Sequence, residues 1–429
     1  MAGQTVVALI FRYVLILSSY FSSALSQTRS LTPHSEGTTY LIFIYTMSIT
    51  KAAVPVAAHG GYDRRRELLQ AFDDTKAGVK GLVDSGTKSI PAIFHHPPDS
   101  LAAITSSTTA DEAAATIPVI DLAAARREEV VALVRAAAET AGFFQVVNHG
   151  VPGEAMAAMV AAVRRFNEGT VEAKRPYYTR DTTRKMRFYS NLDLFQSPAA
   201  SWRDTIFLDM EPEPPQPEEL PEALRGVMFE YVDAVRKLAV WLFQLLSESL
   251  GLASDRLAEM GCGERHKVAC NYYPPCPEPH LTVGNTKHTD PTFLTVLLQD
   301  AVGGLQVLLD HGGGGRGWVN VPPVPGALII NIGDLLQAST SLVSNGRFRS
   351  VEHRVLANQT ADTARVSVAA FVDVGRSMRQ YGPIQELTSP DGGSPPIYRS
   401  VTVEEFIEHF YRKGSEQNRP RLDYFKLVE

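Results

Sequence analysis

The chain has 429 residues, 44% hydrophobic and 21% charged, which excludes a disordered polymer and a disulfide-stapled miniprotein and suits one elaborated domain or two. Its 41 basic against 47 acidic side chains, a formal charge of -6, leave no cationic footprint for nucleic-acid phosphates. The three cysteines, Cys262, Cys270 and Cys276, fit neither a paired CxxC zinc site nor a disulfide framework, and point to a reducing, cytoplasmic setting.

Residues 6–17 are apolar except for Arg12 and Tyr13, and small polar residues follow to position 27. That order is signal-like and makes secretion the alternative location. Arg12, however, lies inside the apolar run, where a charge costs about 2.5–3.5 kcal/mol on insertion scales. Met47 opens a stretch polar enough to begin a soluble protein, so residues 1–46 are set aside as a signal-like or artefactual extension. No membrane partner is expected.

Residues 102–116, rich in Ala, Ser and Thr, read as a linker before a short strand at 117–122. Val130, Val131, Val134, Ala137 and Ala138 recur at helical spacing over 127–141, Gly142 supplies a stop, and 143–147 reads as a strand. The acidic, proline-dense segment 211–221 interrupts the chain before a long helix at 224–250, whose stripe is Val227, Met228, Tyr231, Val235, Leu238, Leu242 and Leu245. After His266 come short β-type runs at 267–273, 293–298, 304–309, 318–321, 327–332, 350–356 and 365–374, separated by Gly, Pro and Asn. This rhythm suggests an antiparallel jelly-roll. Thr402 and Glu405 form a capping-box pattern for a closing helix that Gly414 can end.

The chemistry concentrates in the β-rich part. His288 and Asp290 are two apart, which on extended backbone aims both side chains to one face, and His353 shares a strand face with Val351 and Val355. Two imidazoles and one carboxylate make a facial triad that leaves positions open on iron(II); zinc hydrolysis and plain core histidines are the rival readings. Arg365 and Ser367 share a strand face with Ala369, Phe371 and Asp373. An inward arginine needs an anion, either a bound carboxylate or an internal salt bridge. Upstream, the aromatic strand end Asn271, Tyr272, Tyr273, Pro274, Pro275 brings a phenol that could donate to the same anion.

These residues resemble the plant soluble 2-oxoglutarate and iron(II)-dependent dioxygenases, in particular the subgroup of 1-aminocyclopropane-1-carboxylate oxidase homologues. The similarity runs through Ile117 to Leu122, Gly142 to Gly150, Ser197 to Asp204, Asn271 to Pro277, His288 to Asp290, Phe293 to Asp300, Val321 to Ala327, Val351 to Arg354 and Arg365 to Ser367. It implies a mixed α/β fold: a double-stranded β-helix (jelly-roll) core with an amino-terminal α/β domain and surrounding helices. It further implies iron(II) on His288, Asp290 and His353, and 2-oxoglutarate on Arg365 and Ser367 with help from Tyr273 and Asn271. The implied reaction is hydroxylation, demethylation or desaturation of a small plant specialised metabolite, consuming O2 and releasing succinate and CO2, with ascorbate as reductant and the enzyme a monomer.

Phe371 is the candidate substrate wall. Asp373 is a second substrate contact or a solvated strand end, and Trp202 with Arg203 either caps the pocket or packs. His149 is given no catalytic role. The resulting division is a leader and linker at 47–116, a largely helical amino-terminal domain at 117–262, the catalytic jelly-roll at 263–375 and a helical tail at 376–429.

Two departures from the family pattern stand out: a glycine-rich hairpin at 312–317, and about four extra residues within 338–342 that threaten the register of the strand bearing His353. Two other functions stay open at this point: ascorbate-dependent ethylene formation from aminocyclopropane carboxylate, against which Tyr272 and Tyr273 weigh, and an idle jelly-roll that only binds a carboxylate.

Overall fold

Period-two alternation decides which side chains meet which layer. The computed structural model describes residues 59–98, 101, 117–124, 126–311, 315–337, 345–374, 378–388, 395–412 and 424–427. The extension at 1–46, the linker at 102–116, the hairpin glycines at 312–314, the extra residues at 338–342 and Gly414 therefore lie outside the described residues. In chain order the elements used below are α1 (His59–Asp74), α2 (Gly78–Asp84), β1 (Val119–Asp121), α3 (Arg127–Thr140), β2 (Phe143–Val147), α4 (Gly153–Asn167), β3 (Met186–Tyr189), β4 (Asp204–Asp209) and α5 (Met228–Ser249). They continue with β5 (Arg265–Tyr273), β6 (Val283–His288), β7 (Leu294–Gln299), β8 (Leu305–His311), β9 (Gly315–Asn320), β10 (Leu328–Ile332), β11 (His353–Leu356), β12 (Arg365–Asp373) and α6 (Val403–Arg412).

Eight strands form one sheet in the order β1-β2-β10-β7-β12-β5-β4-β3, and four form a second in the order β6-β11-β8-β9. This is the expected jelly-roll core, and the strands of the amino-terminal region extend its larger sheet at both edges. On β12 the residues Val366, Val368, Ala370 and Val372 join Val268, Cys270 and Tyr272 of β5 in the main core, which also takes residues from α3, α4 and α5. The opposite face, carrying Arg365, Ser367, Ala369 and Phe371, lines up with Tyr273, Asn271, Ala269 and Lys267. A separate apolar cluster that includes Phe143, Tyr273, Leu305, Val307, Ile329 and Val355 draws on both sheets.

The long helix starts later than expected. A short turn, Glu222–Arg225, precedes it and ends at Gly226, where glycine's low helix propensity favours the break. Several elements went unread: α1, α2, β3 and β4, α4, whose buried Met156, Met159, Val163 and Phe166 do follow helical spacing, and β6, too polar to advertise itself as a strand.

The leader is packed. Leu69, Phe72, Val79 and Phe94 gather around Trp202, which is fully buried, edge-on to Phe94 at 5.0 Å. The next residue but one, Asp204, accepts the backbone N–H groups of Val79 and Lys80, both at 2.8 Å. Burial raises the Asp204 carboxyl to about 6, against the opposing pull of these bonds. Between roughly pH 4 and pH 6 the folded chain thus binds more protons here than the unfolded chain. The group's contribution, full below 3.8, is lost as pH rises through about 6. Asp204→Asn should remove a decline on the order of 3 kcal/mol across that window, measured by urea unfolding at stepped pH; an unchanged pH profile would refute it.

Gly142 connects α3 to β2 with φ +61°, and an added Cβ would lie 2.0 Å from the Arg349 carbonyl oxygen. Glycine is required here twice over, for the left-handed backbone and for the close approach of the segment leading to His353. Gly142→Ala should cost about 2 kcal/mol or more, read as a lowered melting temperature; a wild-type melting curve would contradict it.

Candidate metal centre

Strands β6 and β11 are antiparallel neighbours with His288 opposite His353, and their rings lie 4.2 Å apart. Asp290 follows the end of β6, its Oδ1 3.6 Å from His288 Nε2 and 3.7 Å from His353 Nε2. One donor atom from each residue lies within 4.8 Å of the other two. His353 pairs with His288 on one side and Val307 on the other, and the pairing with β6 shifts register just after it, between His353 and Val355.

Each ligand atom is presented by a bond at the far side of its own group. His288 Nδ1 donates to the Thr286 carbonyl at 2.7 Å, and His353 Nδ1 to the Val351 carbonyl at 3.2 Å. A carbonyl only accepts, so the proton sits on Nδ1 and the Nε2 lone pairs point to the shared centre. Asp290 Oδ2 accepts from Thr295 Oγ1 at 2.7 Å and Asn331 Nδ2 at 2.8 Å, leaving Oδ1 for a metal. Burial pushes Asp290 up, but His353 and His288, then the Asn331 and Thr295 bonds, outweigh it and hold it below the usual carboxylate range. Burial, and next the charge of His353, lowers His288 against the attraction of Asp290. Two imidazoles and one carboxylate suit a divalent iron and leave positions for a bidentate cosubstrate.

Arg365 is 2% exposed, yet its partners are neutral: Ser367 Oγ and the Gln299 side-chain carbonyl, each at 3.1 Å. Its Nε is buried without a partner, and the guanidinium sits over the Tyr273 ring, 4.9 Å from the centroid. Leaving a buried cation without an anion is strongly unfavourable, so the arrangement suits a carboxylate ligand. Asn271, opposite Ser367, accepts from Thr205 Oγ1 at 3.0 Å.

Of the expected substrate residues, Phe371 is partly exposed on the same face of β12 as Arg365 and Ser367, opposite Thr295, the residue bonded to Asp290. Asp373 is buried and pairs with Lys267 at 2.8 Å, so it is not a solvated strand end. Trp202, read as either a pocket cap or a packing residue, is occupied in leader packing and donates its indole N–H to the Pro275 carbonyl at 3.3 Å. His149 is bonded at both ring nitrogens, to Gly326 O and Val151 N, as befits a loop brace. Thr295, Asn331 and Gln299 were not anticipated, although each is a polar residue within an otherwise apolar strand. Phe143, also unanticipated, packs its ring 5.3 Å from that of His353.

Residues 265–374 match the model of the 2OG-Fe(II) oxygenase superfamily, and residues 117–227 that of the non-haem dioxygenase in morphine synthesis N-terminal family. The chain is 46% identical over 367 residues to 1-aminocyclopropane-1-carboxylate oxidase homolog 1 of Arabidopsis thaliana, covering 85% of this chain and 97% of that protein. It is also 46% identical over 370 residues to a probable 2-oxoacid dependent dioxygenase of the same plant, covering 85% and 99%. Among solved structures, JOX2 in complex with 2OG, Fe and JA superposes with TM-score 0.68 at 32% identity, covering 82% of this chain and 98% of that one. The rice dioxygenase for auxin oxidation does so with TM-score 0.59 at 28% identity, covering 73% and 100%.

Proposed function

The chain belongs to the 2-oxoglutarate and iron(II) oxygenase superfamily, and from that premise we propose that it hydroxylates, demethylates or desaturates a small plant specialised metabolite. It is a 2-oxoglutarate-dependent dioxygenase with iron(II) as its metal, and its reactants are a small molecule and O2. Iron(II) bound at this centre would supply oxygen activation coupled to decarboxylation of 2-oxoglutarate. In our reading His288, Asp290 and His353 hold the iron, Arg365 and Ser367 hold the far carboxylate of the cosubstrate, and Tyr273 and Asn271 shape its cradle. Phe371 forms a wall that keeps water from the reacting carbon. The observation that carries this is the buried Arg365 guanidinium, which has no carboxylate partner among the described residues.

The small-metabolite reading is supported by the likeness to JOX2, solved in complex with JA, and to the rice dioxygenase for auxin oxidation. A cytoplasmic location is supported by three unbridged cysteines, all buried; no described helix is long and apolar enough to cross a membrane. A turnover screen of plant metabolites tests the proposal. Succinate release should require 2-oxoglutarate and a hydroxylatable small molecule, whereas ethylene from aminocyclopropane carboxylate with ascorbate alone would overturn it.

A further inference from the structure

Among the cations on the cosubstrate-facing side of the large sheet or its approach, partners separate Arg187, Lys267, Arg365 and Arg203. Arg187 of β3 pairs with Asp209 at 2.7 Å, and Lys267 of β5 with Asp373 at 2.8 Å. Arg365 is taken by the cosubstrate in the reading above. Arg203, immediately before β4, forms no ion pair among the described residues. Its NH1 reaches only the Asn271 side-chain carbonyl, at a long 3.4 Å, and its Nε is buried with no partner.

Its position is not slack. Trp202 on one side is locked in the leader cluster, and Asp204 on the other grips α2. Thr205, two residues on, bonds the same Asn271 oxygen, so the alternation of β4 turns Arg203 to the cosubstrate side. Trp202 donates its backbone N–H to the Val283 carbonyl at 2.8 Å, on the strand that ends at His288, and Asn271, which Arg203 reaches, lies opposite Ser367. A rigidly mounted, partly desolvated cation at the rim of the cosubstrate cradle is suited to one end of an anionic substrate.

We propose that Arg203 is the substrate anchor, and that the molecule oxidised carries a carboxylate which pairs with Arg203 while its reacting carbon lies over the metal. This rests on the oxygenase reading and deepens it.

The test uses benzoate as the smallest ring-bearing acid and benzamide as its uncharged counterpart, titrated by calorimetry into the anaerobic iron(II)–2-oxoglutarate complex of the full chain. The complex's visible charge-transfer band is recorded first, so a missing band counts against the oxygenase reading and not against Arg203. With the band present, benzoate should bind and benzamide should bind at least about ten-fold more weakly. Arg203→Gln should weaken benzoate about ten-fold or more, as expected for losing a charge-assisted bond, Arg203→Lys should restore part of it, and half-saturation by 2-oxoglutarate should not move. No benzoate binding to the wild-type complex, equal binding of benzamide, or unaltered benzoate binding by Arg203→Gln would each overturn the proposal. So would an effect of Arg203→Gln confined to 2-oxoglutarate, which would assign the residue to the cosubstrate.

Discussion

Arg365→Leu should raise the 2-oxoglutarate concentration for half-maximal succinate release by about 100-fold or more, because two charge-assisted bonds to one carboxylate, each about 1.5–3 kcal/mol, disappear together. The same substitution should not destabilise the protein without cosubstrate. In the free chain the guanidinium is buried among neutral partners, so an apolar side chain of similar volume relieves an uncompensated charge. The expected pair of results is a melting temperature at or above wild type in the absence of 2-oxoglutarate, and loss of the rise that saturating 2-oxoglutarate gives the wild type. A variant that melts early with or without 2-oxoglutarate would show that Arg365 braces the sheet instead of receiving a ligand.

Asp290→Ala should abolish turnover and weaken iron(II) binding by about 100-fold or more. It removes the anionic member of the triad, whereas loss of merely supporting partners at metal sites typically costs about 10–100-fold. Asn331→Ala falls in that lesser class: Asp290 would keep the Thr295 bond and the three ligand atoms. Anaerobic iron titration read by the 2-oxoglutarate charge-transfer band distinguishes the two. Wild-type affinity in Asp290→Ala would place the metal elsewhere.

The residues of this centre were legible to different degrees. His288, Asp290 and His353 stand out because imidazoles on extended backbone have few uses, and Arg365 with Ser367 because an inward cation demands an anion. The family resemblance then joined the two groups, which lie far apart along the chain. Thr295 and Asn331 were hidden in strands that read as apolar core, and their purpose appears only when β10 sets Asn331 beside Thr295. Trp202 was harder still. Its neighbours Leu69, Phe72 and Phe94 come from a stretch taken for a leader, and nothing local announces a contact across more than a hundred residues. The short polar strand β6 was invisible to apolar alternation although it carries His288, since hydrophobic pattern reports burial and only its first two residues, Val283 and Gly284, are buried.

Both histidines are tethered to carbonyls only two residues behind them, Thr286 and Val351. Their aim is therefore written into the local backbone and owes nothing to the ion. Loading should be a simple docking step without refolding, so chelator-stripped enzyme should recover fully on adding ferrous salt. The corollary is poor discrimination. A ready-made seat of two nitrogens and one oxygen ranks divalent ions by their intrinsic preferences, and cobalt or nickel should hold it more firmly than iron does. Fidelity to iron then falls to the cell's metal supply, not to the protein.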